Sequence, residues 1–151
     1  MDYRDYDTRL AAYAVIVDDL DPVLLALWNE GPEPLWTLPG GGVQLPEAVE
    51  EAAVREVLEE TGYDVALGPL LGIHSLVVPP EQRLRARNRD RPLKSVRVMF
   101  EGSVNCGSLR NEVAGTTDEA RWIPMAEVPD LARVDLVDTG LDFWRRARRS
   151  V

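Results

Sequence analysis

Residues 40–47 read Gly40-Gly41-Gly42-Val43-Gln44-Leu45-Pro46-Glu47; residues 48–54 follow, and then Arg55-Glu56-Val57-Leu58-Glu59-Glu60-Thr61-Gly62-Tyr63. Glycines open this stretch, carboxylates and good helix formers fill it, and a glycine closes it. Pro46 suits a first helical turn, Glu47, Glu50 and Glu51 suit the positive end of the dipole, and Gly62 suits the position just past the last turn. A helix entered from a glycine loop is the expectation.

At about 100° per residue, Val49, Ala52, Ala53 and Val57 form a stripe that should face the protein body. Glu56 and Glu60 fall on the same stripe, with Glu59 at its edge. Ionised carboxylates on a buried face are normally paired, protonated or bound to a cation, because their desolvation is unfavourable. Spacings of three and four residues bring these groups within reach of one centre, and hard divalent ions such as Mg²⁺ prefer oxygen ligands. Two readings stay open at this point: a metal site, or a solvated helix with Glu–Arg pairs through Arg55.

The wider spacing resembles the signature of the Nudix (MutT-like) hydrolases. Gly41, Glu47, Arg55, Glu56, Val57, Glu59, Glu60 and Gly62 fall in its register. Tyr63 stands where the family carries an aliphatic residue, and Pro46 where members often have Gly. The resemblance implies an α/β fold, an α/β/α sandwich with a mixed central β-sheet, occupying residues 1–151 as a single domain. It implies hydrolysis of a diphosphate linkage in a nucleoside diphosphate derivative (a nucleoside triphosphate, ADP-ribose or a nucleotide sugar) by in-line attack of water, with Mg²⁺ or Mn²⁺ as cofactor. By the same resemblance Glu56, Glu59 and Glu60 are metal carboxylates and Gly40 supplies a backbone carbonyl. Arg55 and Glu47 pair to orient the helix. The stretch 117–124 is similar to an acidic-then-Trp segment late in many family members, where an acidic residue ligates metal, acts as general base or contacts a nucleotide base. Glu119 is the first choice there, with Asp118 and Glu112 in reserve; Glu56 is the other candidate base. A catalytically inactive nucleotide-sensing module of the same fold is the alternative, against which the intact Arg-Glu-x-x-Glu-Glu pattern argues.

Composition fits this picture. With 151 residues and 45% hydrophobic content, the chain suits one compact core. No apolar run approaches a membrane span, residues 1–7 are acidic without an apolar signal core, and Cys106 is alone. A cytoplasmic protein is expected. The net charge of −9 argues against nucleic-acid or anionic-membrane partners. It would also repel a phosphate ester unless divalent cations bridge the two.

Outward from the box, strands are expected at 9–17 and 23–28, joined as a hairpin, then over 64–78 and 94–102. His74 reads as a packing or hydrogen-bonding residue rather than a general base. The 79–92 loop carries Arg83, Arg85, Arg87, Arg89 and Arg91, a solvated loop or a substrate contact; Arg97, held on a strand, is the better phosphate contact, and Asp118 a further substrate-binding candidate. Pro79, sixteen residues after Tyr63, is similar to a proline of ADP-ribose-cleaving members, although nucleoside triphosphates are equally compatible and dinucleoside polyphosphates are a further option. Segment 105–117 is turn-rich, 124–131 begins as a helix, and 138–149 is a final amphipathic helix with Leu141, Phe143 and Trp144 inward. The resemblance is compatible with a homodimer.

Overall fold

The computed structural model describes residues 1–84 and 90–150. In chain order the elements are β1 (Asp7–Ile16), β2 (Val23–Trp28), β3 (Leu35–Thr37), β4 (Gly40–Gly42), α1 (Val49–Thr61), β5 (Tyr63–Val78), β6 (Leu93–Gly107), β7 (Thr117–Ile123) and α2 (Asp135–Arg149). Short 3₁₀ turns occupy Pro80–Gln82 and Met125–Asp130. The strands make two sheets, one ordered β4-β1-β6-β5 and the other β3-β2-β7. The first is mixed, since β1 runs parallel to β6 while its other pairings are antiparallel.

The apolar run at the end of β1 explains the layering. Ala12, Ala14 and Ile16 turn to α1, meeting Ala52, Ala53 and Val57, while Ala11, Tyr13 and Val15 turn to the opposite core with Leu136, Val137, Leu141 and Trp144 of α2. A strand buried on both faces reads as an unbroken apolar stretch rather than an alternation. The expected α/β/α sandwich follows, with the box helix on one side and the terminal helix on the other.

Some details differ from the sequence expectation. The 9–17 and 23–28 strands do not form a hairpin: β1 has β4 and β6 as neighbours, β2 has β3 and β7, and only a Val17–Val23 bridge links the two. The parallel ladder with β6 and the short β4 take both edges of β1, so β2 is displaced into the second sheet. Pro46 and Glu47 lie in a turn before α1, because Glu47 bonds the Gln44 N–H at 3.0 Å and thereby closes that turn. The helix begins at Val49, with Glu51 reaching back to the Ala48 N–H at 3.0 Å. Its other end is as expected: Gly62 has φ of 84°, and its N–H bonds Leu58 O. The last helix starts three residues earlier than the sequence suggested, and residues 105–107 extend β6.

In the 79–92 loop, Arg83 Nη1 bonds Asp7 Oδ2 and Arg91 O, each at 2.8 Å. Arg91 Nε lies 3.3 Å from Asp7 Oδ1. These two arginines therefore close the base of the loop against the start of β1. Arg85, Arg87 and Arg89 lie outside the described residues.

Candidate active site

Arg55 organises the box. Its Nε and Nη2 hold the Glu47 carboxylate at 2.6 and 3.0 Å, and Nη2 also donates to Gly42 O at 3.1 Å. Nη1 reaches Glu56 Oε1 at 2.9 Å and Glu59 Oε2 at 3.3 Å. One guanidinium thus ties the turn before the helix to the glycine strand and to two box carboxylates, a use of its planar fork that a lysine could not copy. The bond from Arg55, with that from Gln44 N–H, lowers the Glu47 carboxyl to about 2, and the same partnership raises the Arg55 pKa.

A carboxylate held below its unfolded value contributes stability above that value, and the contribution is lost on descent to the folded pKa. For Glu47 that window runs from 4.5 down to about 2. Glu47→Gln is expected to flatten the acid limb of the stability curve across this window, checked by urea unfolding at a series of pH values.

Glu60 is only 2% exposed, and Oε2 accepts the Gly40 N–H at 3.1 Å. Burial raises its pKa well above the usual carboxylate range despite that bond, and Glu56, Glu112 and Glu59 push it the same way. Glu56 is half-buried and shifts upward too, from burial first and then from Glu59 and Glu112, with Arg55 opposing. Its carboxyl rests against Gly41, where a Cβ would sit 2.7 Å from Cδ. Glu59 is more exposed, at 48% of its side chain, and leans on Arg55.

Glu112 is brought to this group by its loop. Arg110 N–H caps Thr61 O at 2.9 Å, and Asn111 Oδ1 accepts Ala120 N–H at 3.2 Å. Glu112 Oε2 accepts Thr117 N–H at 3.1 Å and Thr117 Oγ1 at 2.7 Å. Stapled in this way, Glu112 faces Glu56 and Glu60 closely enough to raise both. Glu119 does not join them. It is bonded to Arg121, which stacks over Trp36 at 5.4 Å, on the face of β7 turned to the α2-side core. Asp118 is occupied by Asn29 Nδ2 at 2.6 Å. The sequence ranks Glu119 ahead of Glu112 by its distance from Trp122; no sequence pattern shows the path of the 108–116 loop, so their order of proximity is visible only in the fold.

Arg97 sits between Val96 and Val98 on β6. Val98 packs toward α1, so Arg97 shares the opposite face with Met99. Nε and Nη1 of Arg97 are buried without a hydrogen-bond partner, and so is Nδ1 of His74, its register partner on β5. Two buried guanidinium nitrogens without an acceptor are costly and leave hydrogen-bonding capacity that an anion could use.

Among the described residues no three His, Cys, Asp or Glu side chains converge as a ready-made cage for an ion. Arg55 holds Glu56 and Glu59 in the present arrangement. The donor set nonetheless suits a hard divalent cation. It is all oxygen, it is confined to one helix face and an adjoining loop, and the carboxyls of buried Glu60 and half-buried Glu56 are raised by burial first and by neighbouring carboxylates second, both of which a cation would offset.

Residues 7–141 match the family model described as the NUDIX domain. A putative 8-oxo-dGTP diphosphatase of Bacillus subtilis is 44% identical over 63 residues, 42% of this chain and 41% of that protein. The ADP-ribose pyrophosphatase of Methanocaldococcus jannaschii is 30% identical over 131 residues, 86% of this chain and 70% of the relative. The match thus spans about two fifths of the length of the first relative and most of the second. Among solved structures, a NUDIX hydrolase from Nitrosomonas europaea superposes with a TM-score of 0.77 at 23% identity, covering 93% of this chain and 90% of that one. That likeness concerns the fold alone. No helix of the described residues is long and apolar enough to cross a membrane. With the family model running from the first residue of β1 into α2, the chain belongs to the NUDIX family.

Proposed function

We propose that this protein is a divalent-metal-dependent pyrophosphohydrolase that cleaves a diphosphate linkage in a nucleoside diphosphate derivative. The observation that carries the reading is the pair of crowded carboxyls, half-buried Glu56 and buried Glu60, backed by Arg55 and the Gly40 N–H and faced by Glu112. Glu56, Glu59 and Glu60, with the Gly40 carbonyl, would hold Mg²⁺ or Mn²⁺, which when bound would polarise the phosphate and lower the pKa of an attacking water. Arg55 keeps the box helix in register with the glycine strand. Glu112, fixed by Thr117 through Oε2, would take a proton from water in an in-line displacement; Glu56 is the other candidate base.

Substrate choice rests on the opposite face of the sheet. The relatives' names share a phosphoanhydride and differ in what it joins, and a match covering 86% of this chain is to the ADP-ribose enzyme. Arg97 with His74 offers charge and a hydrogen bond to an anionic or polar group of the substrate held away from the scissile linkage. Arg97→Ala is expected to raise KM about 10-fold with little change in kcat, in keeping with loss of one charged hydrogen bond; steady-state kinetics decides it.

The reading is tested by phosphate and nucleotide release from ADP-ribose, nucleoside triphosphates, nucleotide sugars and dinucleoside polyphosphates, with Mg²⁺ or Mn²⁺ and with a chelator. Cleavage of one class that the chelator abolishes supports it. Binding of a nucleotide without cleavage would favour the sensing module instead.

A further inference from the structure

Strand β5 forms an edge of the four-stranded sheet over its whole length, 16 residues, with β6 as its sheet neighbour. An edge strand presents a row of backbone donors and acceptors to any second strand, and natural proteins normally blunt it with charge, proline or bulges. The first half of β5 is blunted: Pro69 lies in it, and the pairing with β6 shifts at Asp64/Val65, Leu67/Leu70 and Leu70/Gly72. The second half is not. From Gly72 to Val78 the ladder is regular, and the sequence Gly-Ile-His-Ser-Leu-Val-Val holds no proline, no lysine and no carboxylate. Residues 65–80 contain no Asp or Glu, in a chain whose net charge is −9. Ile73 and Val77 on this stretch are 59% and 68% exposed.

The same seven residues are complementary to themselves. Set antiparallel about a two-fold axis at Ser75, Ile73 stands opposite the partner's Val77, Ser75 opposite the partner's Ser75, and His74 opposite the partner's Leu76. The exposed face then gains two Ile–Val pairs, which cover apolar surface now open to water, and a Ser–Ser pair at the axis. No charge of a strongly acidic chain is placed against its like. One-residue shifts of this register would set apolar side chains against the opposite face.

We propose that Gly72–Val78 is a self-association edge, through which two copies of the chain join their four-stranded sheets antiparallel into one continuous eight-stranded sheet with the two-fold axis at Ser75. The occupant of the edge is a second copy, in the isologous arrangement that closed dimers use. No box residue takes part, so the inference does not rest on the catalytic reading; His74, set beside Arg97 for the substrate, lies within the edge as well.

The test is the mass of the protein in solution by light scattering and sedimentation equilibrium at micromolar concentrations, for wild type and Ser75→Lys. Ser75 is exposed, so the lysine leaves the subunit's own packing untouched but sets two cations face to face at the axis. Wild type is expected to be a dimer, and Ser75→Lys to weaken dimerisation by at least 10-fold with an unchanged far-UV spectrum. In parallel, Ser75→Cys in a Cys106→Ser background should give an intermolecular disulfide under a mild oxidant, because directly opposed residues of an antiparallel pair lie within disulfide reach. A monomeric wild type overturns the proposal. So does a dimer that is unaffected by Ser75→Lys, or one that fails to cross-link.

Discussion

Glu60→Gln is expected to lower kcat by roughly 10²–10³-fold, the scale of removing one group that stabilises charge in a transition state, while the protein stays folded. The amide keeps an oxygen to accept the Gly40 N–H, so the contact at 3.1 Å survives. What disappears is a carboxylate that is 2% exposed and crowded by Glu56, Glu112 and Glu59. In metal-free buffer the variant should therefore melt no lower than wild type, since an unfavourable buried charge has gone. Added Mg²⁺ or Mn²⁺ should raise the wild-type melting temperature through binding to the native state alone, and should raise that of the variant much less. Activity and metal-dependent melting are read on the same samples. Turnover within a few-fold of wild type would remove Glu60 from the machinery, whatever the melting curves show.

The second large effect is on the fold. Gly40 has φ of 148°, a conformation that side chains other than hydrogen rarely accept, and a Cβ there would lie 2.6 Å from Tyr13 Cα and press into the Ala12 carbonyl. The obstacle is backbone of the neighbouring strand, paired to Gly40 in register through Tyr13, so it cannot swing aside. Gly40→Ala is expected to cost roughly 2–4 kcal/mol, a fall in Tm of roughly 5–15 °C for a chain of this size, measured by calorimetry or circular dichroism. The adjacent position supplies the contrast. At Gly41 the three atoms nearest a Cβ all belong to the carboxyl end of Glu56, a group that can move. Gly41→Ala should melt near wild type and lose turnover instead. Equal melting of wild type and Gly40→Ala would show that β4 is not held as described.

These neighbours also show how far the sequence could be read. The box helix was legible because periodicity, the closing Gly62 and the carboxylate spacing all concern residues within one or two turns of each other, where geometry is set locally. The second strand was legible for a similar reason, as a short apolar run between breakers. The pairing of that strand was not. Two apolar runs separated by Asp18-Asp19-Leu20-Asp21-Pro22 look like a hairpin, yet the edges of β1 are filled by β4, from beyond the next strand, and by β6, more than seventy residues further along. Such choices depend on competition between distant partners, which local pattern does not express. The site divides along the same line. Glu56, Glu59, Glu60 and Arg55 were readable from one helix, whereas the nearness of Glu112 and the remoteness of Glu119 depend on where a loop crosses a helix end. The orphaned nitrogens of Arg97 depend on what covers a strand face, which again is tertiary.

The 108–116 segment behaves like a bridge with both abutments fixed. The near end is seated on the last turn of α1 through Arg110 and on β7 through Asn111, and Glu112 reaches across to Thr117 at the far end. Between them Val113 stands 90% in solvent and Ala114 already adopts φ of 56°. Variation at Val113 can therefore alter what the molecule meets at its rim without moving the Glu112 carboxylate, whereas at Gly115 any side chain would press into that carboxylate.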